Sequence, residues 1–168
     1  DRSVSRGLGD VYKRQVLLNT ASFHGFRFTG GYTYTHAEIK EGAWSKRGGD
    51  WANSPSKRPN ELPRHSLTAR IDYEWNDFSA YVKSVSKFDS EQQNTKGGPN
   101  VDKYKNYTLV DLGASYVFKK QHRFSVAVNN VFDTGLEWVP SVTAGSYANA
   151  YKEYIDGRNF WFSYAYSF

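Results

Sequence analysis

The sequence predicts an all-β protein, an antiparallel transmembrane β-barrel segment of about six strands. Three observations carry that prediction. Long stretches alternate between ring or aliphatic residues and small, polar or charged ones, the period-2 pattern of a strand with two unlike faces. The 13 Tyr, 11 Phe and 5 Trp make an unusually aromatic chain of 168 residues, and rings fit a pleated surface. Short connections alternate with long ones, as the turns and loops of a membrane-spanning barrel do.

The first strand runs from Phe26, with Phe28, Gly30, Tyr32 and Tyr34 on its face and Arg27, Thr29, Gly31, Thr33 and Thr35 opposite. The second sets Leu67, Ala69, Ile71, Tyr73 and Trp75 against Ser66, Thr68, Arg70, Asp72 and Glu74. The third, Phe78 to Phe88, is weaker, because Tyr81 and Val85 break the parity of Phe78, Ala80 and Val82. The fourth sets Val110, Leu112, Ala114, Tyr116 and Phe118 against Leu109, Asp111, Gly113 and Ser115. The fifth opposes Phe124, Val126 and Val128 to Ser125, Ala127 and Asn129. The sixth opposes Phe160, Phe162, Tyr164, Tyr166 and Phe168 to Trp161, Ser163, Ala165 and Ser167. Val16-Leu17-Leu18 is too short an apolar run to read as another.

Tight turns fall at Trp75-Asn76-Asp77 and at Lys119 to His122; long connections fall at Lys40 to Pro63, Asp89 to Lys103 and Thr134 to Tyr151. The clean alternations approach the roughly 9–11 residues of a tilted membrane-crossing strand. Rings near strand ends (Tyr34, Tyr73, Trp75, Tyr107, Phe118 and Phe168) stand where an interfacial girdle would put them.

Composition excludes other classes. With no Cys there are no disulfides, thiolate metal sites or Cys nucleophiles. A mean hydropathy of −0.72 and no apolar run near ~18 residues exclude a transmembrane helix, and no signal peptide is visible. The net charge of +5 is dispersed, which gives no stripe for nucleic acid. His24, His36, His65 and His122 are scattered, with no metal-ligand spacing and no recognisable Ser-His-Asp order. His36 and His65 flank the first long connection and read best as polar residues at strand ends. The chain starts at Asp1 and has no Met, so it reads as a processed chain or a piece of a longer one. Residues 1–15 (DRSVSRGLGDVYKRQ) lack clear alternation. They resemble adapter sequence translated at the end of a metagenomic fragment, and are read as a non-native or disordered leader before a segment at 16–168.

Val126-Ala127-Val128-Asn129-Asn130-Val131-Phe132-Asp133 resembles the penultimate-strand signature of TonB-dependent outer-membrane receptors. Asp156-Gly157-Arg158-Asn159-Phe160 through Phe168 resembles their last strand. Gly31 to Ile39, and Leu62-Pro63-Arg64-His65-Ser66, look like an earlier strand and the start of the next. The resemblance implies the last six strands of a 22-stranded barrel without its plug domain, in the bacterial outer membrane, with the short turns periplasmic. It implies a non-enzymatic receptor without a cofactor that imports a scarce ligand, such as a ferric siderophore, with energy passed by TonB through the missing plug. Lipid, lipopolysaccharide and the barrel-assembly machinery are the other implied partners; nucleic acid is not one.

Within that frame the loop holding Trp44, Lys46, Arg47, Trp51, Lys57 and Arg58 is the candidate ligand surface, with Trp138, Tyr147 and Tyr151 adding to it. Rings plus cations suit an anionic, aromatic-bearing ligand; the same rings would also suit a girdle, and the cations lipopolysaccharide phosphates. Phe160, Phe162, Tyr164, Tyr166 and Phe168 resemble a barrel-assembly signal. Two other readings stay open. A complete small outer-membrane barrel, a pore or adhesin, would need two more strands; a secreted carbohydrate-binding module would be soluble without detergent.

Overall fold

The computed structural model describes residues 11–38, 58, 62–93, 101–135, 138–140, 147–149 and 155–168. In chain order its strands are β1 Val11–Asn19, β2 Phe26–Ala37, β3 His65–Trp75, β4 Phe78–Phe88, β5 Glu91–Gln93, β6 Val101–Lys103, β7 Tyr107–Phe118, β8 His122–Asn129, β9 Trp138–Pro140, β10 Tyr147–Asn149 and β11 Asn159–Tyr166. Seven of them form one antiparallel sheet in the order β1-β2-β3-β4-β7-β8-β11. The other four make two short ribbons, β5 with β6 and β9 with β10, inside two of the long connections. The sheet is open, with β1 and β11 at its edges.

All six expected strands form, most of them a residue or two longer than the alternation suggested. The count needs one correction, a seventh strand. Val16, Leu17 and Leu18 lie in β1, which runs from Val11 to Asn19 and pairs with β2 from Val11↔Ala37 to Asn19↔Thr29. Gln15 therefore marks no structural break. The strand escaped notice because its faces are mixed. Tyr12, Arg14, Val16 and Leu18 share one side, so a cation interrupts the apolar face, while Val11 and Leu17 interrupt the polar one.

Directly opposed residues share a face, so the registers sort the sheet. One face carries rows such as Phe28, Ile71, Val82, Leu112, Val128 and Phe160, or Trp75, Phe78, Tyr116, Phe124 and Tyr164. The other carries Arg70, Lys83 and Asp111 in one row, and Asp72, Tyr81, Gly113, Ala127 and Trp161 in the next. Tyr81 and Val85 do not break the pattern; they belong to the polar face. The apolar face stays exposed, with Phe160 at 73% and Phe162 at 69%, as a face whose solvent is hydrocarbon must. A strand of eleven residues is about 36 Å long at ~3.3 Å per residue; tilted by roughly 45° it crosses a bilayer core. Two hydroxyls that fall on the apolar side, Ser86 and Thr108, satisfy each other at 2.8 Å.

The connections sort by end. Residues 20–25, 76–77 and 119–121 close the sheet at one end, and 38–64, 89–106 and 130–158 at the other. All nine buried residues among those described (Ala37, Arg58, Ser86, Ser90, Glu91, Tyr107, Asn130, Gly135 and Ile155) lie at the long-connection end. Ile155 reaches back to pack on Tyr107 and Leu109 of β7.

Candidate functional site

The polar face is a charged wall, with Lys13, Arg27, Arg70, Lys83, Lys87 and Arg123 set against Asp72, Glu74 and Asp111. Arg70 grips Asp72 two residues along its own strand, Nε donating to Oδ1 at 2.9 Å and Nη2 at 2.6 Å. Its guanidinium lies 4.2 Å from the centre of the Tyr81 ring. Lys83, directly opposite Arg70, reaches Asp111 at 3.5 Å. Gly113 opposes Tyr81, and a Cβ there would collide with that ring; the glycine is the floor on which the ring lies. The next row is Glu74, Ser79, Ser115, Ser125 and Ser163, with the Ser79 and Ser115 hydroxyls 2.8 Å apart. These short side chains leave a depression of about 500 Å³ between Arg70, Tyr81 and Trp161. Such a face is wettable and carries more cations than carboxylates. It can line a water-filled lumen, and among the described residues no three His, Asp or Glu gather to hold a metal ion.

At the long-connection end, Asn130 ties the last two sheet strands together. Its Nδ2 donates to the carbonyls of Thr134 and Asp156, its Oδ1 accepts from the Thr134 N–H, and its own N–H donates to Asp111. It adopts φ 49, a conformation in which Asn is several-fold enriched. Asp133 accepts from the Arg158 N–H at 2.7 Å, and Asn159 bridges Asn129 and the Trp161 indole at 2.9 and 2.7 Å. The Asn129-to-Asp133 run singled out in the sequence is thus a clamp that sets where β11 starts.

At the same end, Arg58 is buried among carboxylates, 2.7 Å from Glu91 and 3.4 Å from Asp89, and it also donates to the Asp89 carbonyl. Arg64 meets Asp89 at 3.3 Å. The guanidinium of Arg58 therefore fastens the end of the first long connection to the next one. His36 and His65 fall on the apolar side. His65 opposes Tyr34, and its Nδ1 is hydrogen-bonded to the Tyr32 hydroxyl at 2.7 Å. His122 mirrors it at the other end, 2.8 Å from the Tyr164 hydroxyl.

Of the expected ligand residues, Arg58 is placed as described. Trp138 and Tyr147 sit in the β9–β10 ribbon, at opposite ends of its register, in the pairs Trp138↔Asn149 and Tyr147↔Pro140. Trp44, Lys46, Arg47, Trp51, Lys57 and Tyr151 lie outside the described residues. Phe160, Phe162, Tyr164 and Tyr166 share one face of β11, with Phe168 just beyond, and all are exposed. Two arrangements went unread in the sequence. The Arg70–Asp72–Tyr81–Gly113 stack announced itself only as a parity break, and the Arg58–Asp89–Glu91 group joins residues 31 and 33 positions apart, which no local pattern signals.

An open sheet with one lipid face, one wettable face and its long connections at one end is the wall of an outer-membrane β-barrel. The family model described as TonB dependent receptor-like, beta-barrel matches residues 9–131, and the chain belongs to that family, in the bacterial outer membrane. An iron-regulated outer membrane virulence protein of Vibrio cholerae serotype O1 is 24% identical over 153 residues, 90% of this chain and 20% of that protein. Among solved structures, the ferric-catecholate import receptor Fiu of E. coli K12 superposes with a TM-score of 0.66 at 21% identity, over 94% of this chain and 21% of its own. The ferric enterobactin receptor PfeA of Pseudomonas aeruginosa gives 0.65 at 20%, over 92% and 22%. FpvA of P. aeruginosa, solved with heterologous pyoverdines, gives 0.64 at 20%, over 93% and 19%. The chain thus spans about a fifth of the length of the curated relatives it matches, 20%.

Proposed function

We propose that this chain is the C-terminal part of an outer-membrane active-transport receptor that binds a ferric siderophore and imports it with energy transmitted by TonB. The observation that supports the reading is a wettable, charged inner wall, with every long connection gathered at one rim, in a chain of this family. The names of the similar proteins, iron-regulated or siderophore-binding, support the ligand class. In this reading the long connections are extracellular and the short turns periplasmic. Trp44, Lys46, Arg47, Trp51 and Lys57, with Trp138, Tyr147 and Tyr151, supply rings and cations to the ligand, while Arg58 holds their loop in place. Contact with TonB runs through a plug domain. Phe160, Phe162, Tyr164, Tyr166 and Phe168 present one aromatic stripe to the barrel-assembly machinery. On composition alone residues 1–15 are read as a non-native leader; the pairing of Val11 to Gln15 with β2 counts against extending that leader past residue 10.

The test starts by re-amplifying the source DNA upstream of codon 16, which also decides whether codons 1–15 are genuine. The whole receptor is then expressed under iron limitation in cells lacking their own siderophore receptors, and uptake of radioactive iron is measured with catecholate and other siderophores. Uptake that requires TonB is expected, with the Trp44→Ala/Trp51→Ala pair binding ligand at least tenfold more weakly. Passage of small solutes without TonB, or no uptake with any siderophore offered, overturns the reading.

A further inference from the structure

We propose that the Lys119–Lys120 turn is a binding site for the phosphate of an anionic glycerophospholipid at the short-turn rim. The inference rests on the orientation proposed above, in which that rim meets the inner leaflet.

The turn is built against local preference. It spans Phe118 to Gln121, closed by the Gln121 N–H donating to the Phe118 carbonyl at 3.2 Å. Both central residues are left-handed, Lys119 at φ 51 and Lys120 at φ 61. Asn and Gly are the residues that such a pair of positions favours. The neighbouring hairpin has a single left-handed position and fills it with Asn76 at φ 49, and the chain has 14 Gly to draw on. Strained backbone concentrates where a side chain is needed for something other than folding.

The charge these lysines bring is unspent. Both are exposed, and neither has a carboxylate partner among the described residues. Asp77 of the adjacent turn is close enough for its carbonyl to accept from the Val117 N–H at 2.9 Å, yet its carboxylate forms no described ion pair with them. Lys119 Nζ instead stands 5.2 Å from the centre of the Phe118 ring. Around the turn the apolar face is a belt of exposed rings: Trp75, Tyr116, Phe118, Phe124, Tyr166 and Phe168. Rings of that kind sit at headgroup level, and lysines just beyond them extend to the surface charge. Two ammonium groups above a ring belt match a ligand with a phosphate above acyl chains.

The test uses the intact receptor in a zwitterionic detergent, titrated with phosphatidylglycerol and followed by its thermal unfolding midpoint. Wild type is expected to gain stability saturably. The Lys119→Asn/Lys120→Gly double variant, whose residues suit the turn, should unfold no earlier without lipid yet bind roughly thirtyfold more weakly, two surface lysines' worth of attraction. Lys119→Gln/Lys120→Gln should lose the same affinity, which separates charge from turn geometry. Equal affinity of all three proteins, or equal stabilisation by phosphatidylcholine, overturns the proposal. So does a loss of affinity for lipopolysaccharide in place of phosphatidylglycerol. A Lys120→Cys thiol checks the orientation separately. It should react with an impermeant maleimide only after the outer membrane is opened, and reaction in intact cells sinks the orientation itself.

Discussion

The two ends of this sheet are held by opposite means, although the same strands reach both. At the long-connection end the chain makes an interior of its own. Asn130, Arg58, Glu91 and Ser90 are buried there, and Ile155 folds back on Tyr107. At the short-turn end no described residue is buried, and Trp75, Tyr116, Phe118, Tyr166 and Phe168 remain exposed. The difference follows from the solvent. Long connections stand clear of the hydrocarbon and must satisfy their own backbone. Tight turns leave almost nothing to satisfy, and the bilayer supplies the apolar surroundings that a core would otherwise provide.

The comparison breaks first at Asn130. Its side chain makes three hydrogen bonds across two segments, each worth about 1 kcal/mol, and Ala also tolerates φ 49 poorly. Asn130→Ala should therefore cost roughly 3 kcal/mol or more, read as urea unfolding of the intact receptor in lipid vesicles. Asn130→Gly relieves the backbone but keeps the lost bonds, so it should recover only part. A loss below about 1 kcal/mol for both would mean that the buried end is not held by its polar clamp.

Glu91→Gln is the next largest. It weakens the 2.7 Å pair with Arg58 while Asp89 remains to share the charge. A hydrogen bond to a charged group is worth about 1.5–3 kcal/mol, and the retained Asp89 contact places the expected loss at the lower end. The readout is local, as faster hydrogen exchange across residues 89–106 with the short-turn end unchanged. Exchange rising equally at both ends would deny that the ends are independent.

How far this could be read beforehand depends on the range of the interaction. Six of the seven sheet strands, their faces and the sorting of connections were legible, because period 2 is written in neighbouring residues. The strand at Val11–Asn19 was not, since Arg14 falls on its apolar side and Val11 and Leu17 on its polar side. The clamp was visible as a run of residues, Asn129 to Asp133, but not as a clamp, because its partners at 156–159 lie across a long connection. Arg58 was read as a candidate for ligand, and only the fold shows it turned toward Glu91 and Asp89.

Between the ends, Gly113→Ala tests the wall itself. The new methyl meets the Tyr81 ring, which must leave the floor and its place under Arg70. Overpacking of this kind costs about 1–3 kcal/mol; the exposed side of the ring puts the expected value near 1. Tyr81→Ala in the same chain should remove most of the penalty, a coupling that a double-mutant cycle reads directly. Purely additive losses would show that Tyr81 does not rest on Gly113.

The smallest effect is the sharpest comparison, because one pairing occurs at both ends. Tyr32 bonds His65 at the long-connection end, and Tyr164 bonds His122 at the short-turn end, both on the apolar face and within 0.1 Å in length, 2.7 and 2.8 Å. If both pairs sit at headgroup level, water replaces the lost hydroxyl in either Phe variant. Tyr32→Phe and Tyr164→Phe should then each cost about 0.5–1 kcal/mol, alike within error, by vesicle unfolding. The contrast between the ends would then belong to the connections and not to the ring belts. A cost above about 2 kcal/mol at one end alone would mean that its imidazole is left unsatisfied in a dry layer. That pair would lie deeper than the headgroups, and the membrane boundary on that side would have to be drawn further out along the strands.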